Sequence, residues 1–167
     1  VIAPVHLDPG HPLLESQAAP VVSHHEAVRM LLAGARPGPM VEITGARGKT
    51  TTAHALASVM PGPGILLSSR GLIAYPRQEN LGRMSITPAS VISAAAAAAG
   101  LGGWLVAEVS LGVTGAGDLA ILTSGNTYRF AAGKRDALKQ KVKTLRSCRN
   151  VLLAPEIACD LPGAVHA

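Results

Sequence analysis

Aromatic residues are scarce in this chain. Trp, Tyr and Phe together make up 2% of its 167 residues, although hydrophobic residues make up 48%. A core of this composition must be built from Val, Leu, Ile and Ala, which favours a parallel sheet covered by helices over a β-sandwich. The aromatic side chains are also scattered, without the interleaved basic residues of a nucleic-acid stacking platform. We therefore predict no nucleic-acid partner, and the net charge of +5 fits a polyanionic small ligand at least as well.

Cysteine motifs, a signal peptide and a membrane span are missing as well. Cys148 and Cys159 form no CxxC motif, which is typical of a protein from a reducing, cytoplasmic compartment. The apolar run over residues 91–109 is interrupted by three glycines and by Glu108. We predict a helix followed by a buried strand there rather than a transmembrane helix. The sequence thus predicts a cytoplasmic protein without membrane contact.

Two features predict the domain organisation. The chain begins at Val1 rather than Met and ends in a segment containing Pro-Gly, so we expect it to be a piece of a longer protein. The linker Arg36-Pro37-Gly38-Pro39 marks a boundary. Residues 1–36 are predicted to end an N-terminal domain, and residues 37–167 are predicted to form a central α/β domain. The oligomeric state has no signal in the sequence.

Strands are predicted to alternate with helices, which implies right-handed βαβ units and a mostly parallel sheet flanked by helices. A capping box at Ser23 begins the first helix. Thr87 with Pro88 begins another helix, which continues through an alanine tract to Gly100. Residues 69–85 are polar and predict a loop or a flexible excursion. The remaining predicted elements are strands at 40–44, 65–68, 105–109, 119–122 and 151–153, and helices over about 50–59 and 134–146.

The most informative segment joins a predicted strand to a predicted helix. An apolar, β-branched run ends in the loop Gly45-Ala46-Arg47-Gly48-Lys49-Thr50-Thr51. Gly45 and Gly48 allow positive φ and a close approach of backbone N–H groups to an anion. Lys49 can contact the β- and γ-phosphates of a nucleotide, and the Thr50 hydroxyl can bind Mg²⁺. The segment therefore predicts a phosphate-binding loop.

This loop is a shortened form of the usual phosphate-binding motif. In the pattern G-x-x-x-x-G-K-[ST], the first glycine would stand where this chain has Ile43. The alternative is a glycine turn with an incidental Lys-Thr pair, which the strand before it and the helix after it disfavour. The departure from the full pattern narrows the families with which the chain can be compared.

Further polar residues lie where predicted strands end, the edge at which open α/β sheets bind ligands. Glu108 ends an apolar strand, and a carboxylate there is a natural Mg²⁺ ligand, although a solvated strand end is the alternative. Lys134 is predicted to begin a helix, where a cation opposes the helix dipole. Either a special role or a solvated lysine accounts for it. The other candidates are Asp118, as a turn residue or a ligand, and the loop residues Thr123, Ser124 and Asn126.

Together these features resemble the central ATPase domain of the Mur ligases. Residues 45–51 are similar to the loop G-T-x-G-K-T-[ST] of that family, with Ala46 in place of Thr. Glu108 followed by Ser110 is similar to the strand-end Glu of the family and the Ser that follows it. The segment 121–124 resembles the strand and the Thr-Asn pair that come later in these enzymes.

The resemblance implies a site for ATP and Mg²⁺. Residues 45–51 would bind the nucleotide, and Lys49 would be catalytic. Glu108 would be catalytic and would hold the metal together with Thr50. The C-terminal ligase domain that completes the site in this family is expected to lie outside the chain.

The resemblance also assigns a role to Lys134. The segment 130–134, Phe-Ala-Ala-Gly-Lys, resembles a Tyr-x-x-x-Lys element whose lysine is carbamylated and bridges Mg²⁺. Lys134 would then be a catalytic residue and a metal ligand. An Asp-His pair that assists metal and nucleotide in the family is missing, because residues 126–129 read Asn-Thr-Tyr-Arg. The second metal site therefore lacks part of its expected ligand set.

Residues 4–9, 23–28, 85–90 and 108–118 look more like one ring-closing branch of the family, found in methanogens. This resemblance implies that ATP converts a substrate carboxylate into an acyl phosphate. A carbon nucleophile of the same molecule then closes a ring in an anionic nickel tetrapyrrole. The candidate substrate contacts are Arg70, Arg77, Arg83, Arg129 and Arg135, each of which is otherwise a solvated surface residue.

Two other functions stay open at this point. An amide-forming Mur-type ligase on a cell-wall or folate-like precursor would use the same nucleotide chemistry, but the missing Asp-His pair and segments 85–90 and 112–117 disfavour it. A non-catalytic nucleotide-binding module would need a base-reading motif, and none is recognised. His24 and His25 are candidates to contact the substrate or its nickel, but the capping box favours a helix-start role for both.

Overall fold

The structure, a computed structural model, describes residues 1–15, 19–159, 161 and 163–166. Its helices are α1 (Pro12–Glu15), α2 (His24–Leu32), α3 (Lys49–Val59), α4 (Pro88–Gly100) and α5 (Ala137–Leu145). Its strands are β1 (Ile2–Ala3), β2 (Val22–Ser23), β3 (Met40–Thr44), β4 (Gly64–Ser68), β5 (Gly71–Tyr75), β6 (Glu79–Gly82), β7 (Trp104–Glu108), β8 (Leu119–Leu122), β9 (Arg129–Phe130), β10 (Arg135–Asp136), β11 (Val151–Leu153) and β12 (Ala164–His166).

One large sheet organises the described part of the chain. Its strand order is β12-β11-β8-β3-β7-β4-β5-β6. The pairs from β12 to β4 are parallel, whereas β5 and β6 are antiparallel. Since β3 lies between β7 and β8, the segments that follow these three strands emerge side by side at one edge of the sheet. The predicted α/β fold with a mostly parallel sheet is confirmed.

The central strands are buried because both faces of the sheet are covered. Every residue of β3, β4 and β7 is buried. Ala53 and Ala57 of α3 pack on one face of the sheet, and Val91 and Ala94 of α4 pack in a second cluster together with Val28 of α2. Small alanine side chains let these helices approach the sheet closely, so the core reaches dense packing with few aromatic rings.

The structure tests the predicted starts of helices α2 and α4. The capping box at Ser23 is present, because the Ser23 hydroxyl accepts from the Glu26 N–H and the Glu26 carboxylate accepts from the Ser23 N–H. The alanine tract forms α4, with Pro88 in its first turn. We predicted that Thr87 caps this helix, but its side chain makes no capping hydrogen bond. It lies instead among hydroxyls, 3.0 Å from Ser90 Oγ.

The prediction of a loop or flexible excursion over residues 69–85 is wrong. This segment forms β5 and β6, which extend the sheet in antiparallel fashion from β4. All residues of β6 are exposed, so this edge strand needs no apolar alternation and its sequence reads as a loop. The apolar run of β5, Gly71–Tyr75, pairs with β4, and the polar residues on both sides of this run hid its strand signal.

The start of the basic helix differs from the prediction. Helix α5 begins at Ala137, and Asp136 is its N-cap, because the Asp136 carboxylate accepts from the Lys139 N–H. Lys134 therefore lies in the turn between β9 and β10, outside the helix. The competing signal was the preference of aspartate for N-cap positions. Within the described ranges no helix has the length and apolar character needed to cross a membrane.

The proposed boundary near residue 36 stays a prediction. Val28 and Leu32 of α2 belong to the same buried cluster as Leu105 of β7. Asp118 stands at the start of β8 and is used as a turn residue, because its carboxylate accepts from the Met40 N–H and pairs with Arg36. Both contacts tie the segment before β3 to the central sheet.

Glu42 is a carboxylate buried in the middle of β3. It accepts hydrogen bonds from the Thr114 N–H at 2.8 Å, the Thr114 hydroxyl at 2.7 Å, the Gly115 N–H at 2.9 Å and the Gly117 N–H at 3.3 Å. Burial of a charge is tolerated only when such donors replace water. Glu42 thereby fixes the glycine-rich loop over residues 112–117 against the sheet.

Replacement of Glu42 by glutamine is expected to destabilise the fold. The amide NH₂ of Gln would face backbone N–H donors, which leaves buried groups unpaired at a cost of about 1–3 kcal/mol. The measurement is urea unfolding of Glu42→Gln beside Glu79→Gln, a matched change on the exposed strand β6. Equal unfolding free energies for the two variants would contradict this account.

Candidate functional site

The loop between β3 and α3 has the backbone geometry of an anion site. Gly48 is the N-cap of α3 with φ 82°, a left-handed conformation that favours glycine, and no side chain caps the helix. The first-turn N–H groups therefore point outward, where they can bind a phosphate with help from the helix dipole. Gly45 is required for a different reason: a Cβ there would lie 2.2 Å from Thr123 Oγ1.

The end of β8 holds this loop in place. Ser124 Oγ accepts hydrogen bonds from the Ala46 N–H at 3.2 Å and the Arg47 N–H at 3.1 Å. Thr123 Oγ1 donates to the Arg47 carbonyl at 2.6 Å. The two residues predicted as loop candidates thus shape the phosphate loop itself. Asn126, the third candidate, is exposed.

The end of β7 brings a carboxylate to the other side of the loop. Glu108 is 1% exposed, and its Oε2 accepts from the Thr50 hydroxyl at 2.9 Å and from the Ser69 N–H at 3.0 Å. Its Oε1 lies 3.7 Å from the Lys49 amine. Three residues that the sequence predicted as site residues, Lys49, Thr50 and Glu108, are therefore in contact.

This arrangement fits a magnesium ion bound together with a nucleotide. Among the described residues no group of three or more His, Cys, Asp or Glu side chains could hold a metal on its own. Mg²⁺ prefers one or two carboxylate or hydroxyl ligands and completes its shell with water and phosphate oxygens. Glu108 and Thr50 supply such oxygens beside a loop suited to phosphate.

A cavity of about 510 Å³ opens next to this cluster. Ser69 belongs both to the cavity wall and to the contacts of Glu108. Arg70 and Arg83 also line the cavity. Two of the arginines that the sequence offered as substrate contacts thus border the same space, within reach of the nucleotide loop.

Lys134 lies away from these contacts. Its side chain is 54% exposed and forms an ion pair with Asp8, at 2.7 Å from Oδ1 and 3.0 Å from Oδ2. The Lys134 hydrogen bond lowers the pKa of Asp8. In the described part of the chain Lys134 contacts neither Lys49 nor Glu108, and its role at the metal stays a prediction.

Lys141 on α5 is a buried lysine that sequence reasoning missed. It is 1% exposed, and its amine has no hydrogen-bond partner among the described residues. Burial, assisted by the positive charge of Lys49, lowers the pKa of Lys141 to about 8. The amine lies 5.0 Å from the centre of the Tyr128 ring. The available signal was the spacing, because Ala137, Lys141 and Leu145 are four residues apart and therefore lie on the same buried face of α5.

His25 takes the helix-start role that the sequence favoured. It lies in the first turn of α2, is buried, and its Nε2 is 3.0 Å from the Ser110 carbonyl oxygen, to which it donates. Burial lowers the pKa of His25, which favours the neutral imidazole. This bond connects α2 to the segment that follows Glu108.

Known proteins share both the sequence and the fold. The chain is 40% identical over 139 residues to the coenzyme F(430) synthetase of Methanosarcina acetivorans, across 74% of this chain and 29% of that protein. Its fold is similar to the structure of a UDP-N-acetylmuramoyl-L-alanyl-D-glutamate–2,6-diaminopimelate ligase, with a TM-score of 0.53 and 15% identity over 92% of this chain and 41% of that chain. No protein-family model matches the chain.

The fold and the loop define an α/β domain of the Mur ligase type. The similarity in sequence to a coenzyme F(430) synthetase and in fold to a Mur ligase supports the assignment to the Mur ligase superfamily that was made from the sequence. The chain spans 29% of the length of that synthetase.

Replacement of Lys141 by methionine is expected to raise the free energy of unfolding at neutral pH. The pKa of Lys141 is about 8 in the folded protein instead of 10.5. Below about pH 8 the amine is charged in both the folded and the unfolded protein, and its burial then destabilises the folded state. This penalty disappears as pH rises towards 10.5, where both states are neutral. The difference between Lys141→Met and wild type should therefore shrink with pH.

Urea unfolding of Lys141→Met at neutral and at alkaline pH measures this effect. Lys139→Met, an exposed lysine on the same helix, is the matched control and should show no such pH-dependent difference. If Lys141→Met is less stable than wild type at neutral pH, burial of the charged amine does not destabilise the folded state.

Proposed function

We propose that the protein belongs to an ATP-dependent ligase that activates a substrate carboxylate as an acyl phosphate. The observation that supports this function best is the contact of Glu108 with both Thr50 and Lys49, at 2.9 and 3.7 Å. Phosphoryl transfer needs oxygen ligands for Mg²⁺ and a cation near the γ-phosphoryl group. The similarity to a coenzyme F(430) synthetase supports the ligase class.

Different residues of the loop are proposed to bind the phosphates and to stabilise the transferred γ-phosphoryl group. Outward-pointing N–H groups at the start of α3 bind the phosphates, and Lys49 offsets the negative charge that develops on the γ-phosphoryl group. Thr50 and Glu108 would hold Mg²⁺, which neutralises charge on the β- and γ-phosphates when bound. Ser124 keeps the loop backbone in the required shape through its bonds to Ala46 and Arg47.

The substrate carboxylate is proposed to enter through the cavity beside Ser69. Arg70 and Arg83 on its wall provide positive charge for a large anion. Bidentate binding of carboxylates by arginine also fixes their orientation. A carboxylate oriented there can attack the γ-phosphorus and release ADP, which forms the acyl phosphate.

The second half-reaction is proposed to close a ring in a nickel tetrapyrrole. A carbon nucleophile of the same molecule, after loss of a proton, attacks the acyl carbon. A carbon–carbon bond forms, the bond between the acyl carbon and phosphate breaks, and inorganic phosphate leaves with its electron pair. The product is a cyclic ketone. The observation in favour of this chemistry over amide formation is the 40% identity to a coenzyme F(430) synthetase.

Lys141, rather than Lys134, is proposed as the lysine that carries a carbamate. Carbamylation requires a neutral amine, and a pKa of about 8 makes the neutral form far more abundant near neutral pH than for an ordinary lysine. The reaction joins the neutral amine nitrogen to the carbon of CO₂ and releases one proton. A carbamate would also place a negative charge where Lys49 now repels the ammonium group.

The carbamate is expected in ¹³C NMR spectra of the protein in ¹³C-bicarbonate. A protein-bound carbamate signal should appear in the wild type and in Lys134→Met, and it should be missing from Lys141→Met. Loss of the signal in Lys134→Met with retention in Lys141→Met would restore the role to Lys134.

Phosphate release with Mg-ATP is expected to depend on the ring-open nickel tetrapyrrole acid. Lys49→Ala should lower the stimulated rate by about 100-fold or more, as is usual when a group that stabilises transition-state charge is removed. The product should be lighter than the acid by one water molecule. Lys139→Ala, an exposed lysine on α5, is the matched control.

The other outcomes separate the alternatives. ATP turnover that is indifferent to the tetrapyrrole but increases with an amine acceptor would replace ring closure by amide formation. Tight nucleotide binding without any turnover would contradict a ligase and favour the non-catalytic module.

A further inference from the structure

A second cavity, of about 370 Å³, lies apart from the nucleotide loop. It is enclosed by the N-terminal segment over residues 3–5, by α2, by α5 and by residues 113–114. None of residues 45–51 lines it. Its volume is within the range of small-molecule sites, which is about 300–1,000 Å³.

The wall between the glycine-rich loop and α5 is closely built. A Cβ at Gly112 would lie 2.5 Å from Thr144 Oγ1, and a Cβ at Gly115 would lie 2.5 Å from Ser147 Oγ. Thr144 Oγ1 accepts from the Val113 N–H at 3.0 Å. Glu42 holds the same loop from its other side. The loop can therefore seal the cavity only with glycine at these positions.

The cavity carries an excess of positive charge. Four cations line it, namely Arg29, Arg135, Lys143 and Arg146, against the single carboxylate of Glu26. That carboxylate is already engaged with Ser23 in the capping box. The three ion pairs found within the described ranges involve none of these cations, and Arg135 donates a hydrogen bond to the Val5 carbonyl at 2.7 Å.

Helix dipoles favour three of these cations, because Lys143 and Arg146 stand at the C-terminal end of α5 and Arg29 lies in the last turn of α2. Arg135 belongs to β10 and gains from neither dipole. The ends of the two helices thus bring their cations to one cavity. A concave surface lined by one sign of charge concentrates the opposite ion.

Part of the remaining wall is apolar. Pro4, Val5, Leu14, Val21 and Val22 form this part, beside polar side chains such as Gln140 and Ser147. A bare inorganic anion would leave this wall in contact with water, whereas an apolar molecule without charge would leave the cations unpaired. We propose that the cavity binds an amphipathic carboxylate, a molecule with an apolar body and at least one carboxylate group.

This binding needs no nucleotide, so it is tested without nucleotide and its failure would leave the proposed ligase function untouched. The probe is 2-naphthoate, titrated into the protein by isothermal calorimetry. Two analogues separate the contributions of the carboxylate and the ring to binding. Acetate has the charge without the ring, and 2-naphthalenemethanol has the ring without the charge. Both should bind at least about tenfold more weakly than 2-naphthoate.

Charge reversal locates the binding. Lys143→Glu should weaken 2-naphthoate by about tenfold or more, because an attraction becomes a repulsion. Lys139→Glu has the same charge change on the same helix but lies outside this cavity, and it should leave the affinity unchanged. Arg146→Glu repeats the test from a second position in case one variant behaves unusually.

Three results would overturn the assignment. They are no binding of 2-naphthoate, equal binding of the uncharged alcohol, and equal weakening by Lys139→Glu and Lys143→Glu. If binding holds, the carboxylate belongs either to the ligase substrate or to a separate small acid. If 2-naphthoate inhibits the phosphate release that the tetrapyrrole acid stimulates, the carboxylate belongs to the ligase substrate. If 2-naphthoate leaves that release unchanged, the carboxylate belongs to a separate small acid.

Discussion

Parallel pairing of β3 with β7 on one side and β8 on the other is the constraint on which the candidate site depends. Ile43 pairs with Glu108, and Thr44 pairs with Leu122. This register sets the ends of the three strands level, so the loop after β3 emerges between Glu108 and Ser124. Any slip by one residue would turn Glu108 to the other face of the sheet.

Buried polar groups divide into two kinds in this fold. Glu42 is fully buried, and four donors satisfy it, which is the pattern of a group that holds structure together. Lys141 is equally buried, but its amine has no hydrogen-bond partner among the described residues. Because an unpaired buried amine is costly, its burial is better explained by a chemical role than by stability. The contrast makes Lys141 a stronger candidate than the exposed Lys134 for the lysine that carries a carbamate.

Helix α5 carries both the proposed carbamate lysine, Lys141, and part of the lining of the cationic cavity. Successive residues of an α-helix are about 100° apart, so Lys141 and Lys143 point to different sides. Lys141 is directed to the interior, where the charge of Lys49 acts on it. Lys143 and Arg146 line the cationic cavity. A displacement of α5 would therefore alter both places together.

The sequence by itself determined the glycine loop over residues 45–51 with the strand before it and the helix after it, because apolar β-branched runs and glycine act locally. It also determined the capping box at Ser23 and the helix through the alanine tract. It failed at residues 69–85, where polar residues surround the short apolar strand β5 and the exposed edge strand β6, and at Lys134, where Asp136 moves the helix start. Only the tertiary structure decided that Lys141 is buried and that four cations share one cavity, because both follow from packing between distant segments.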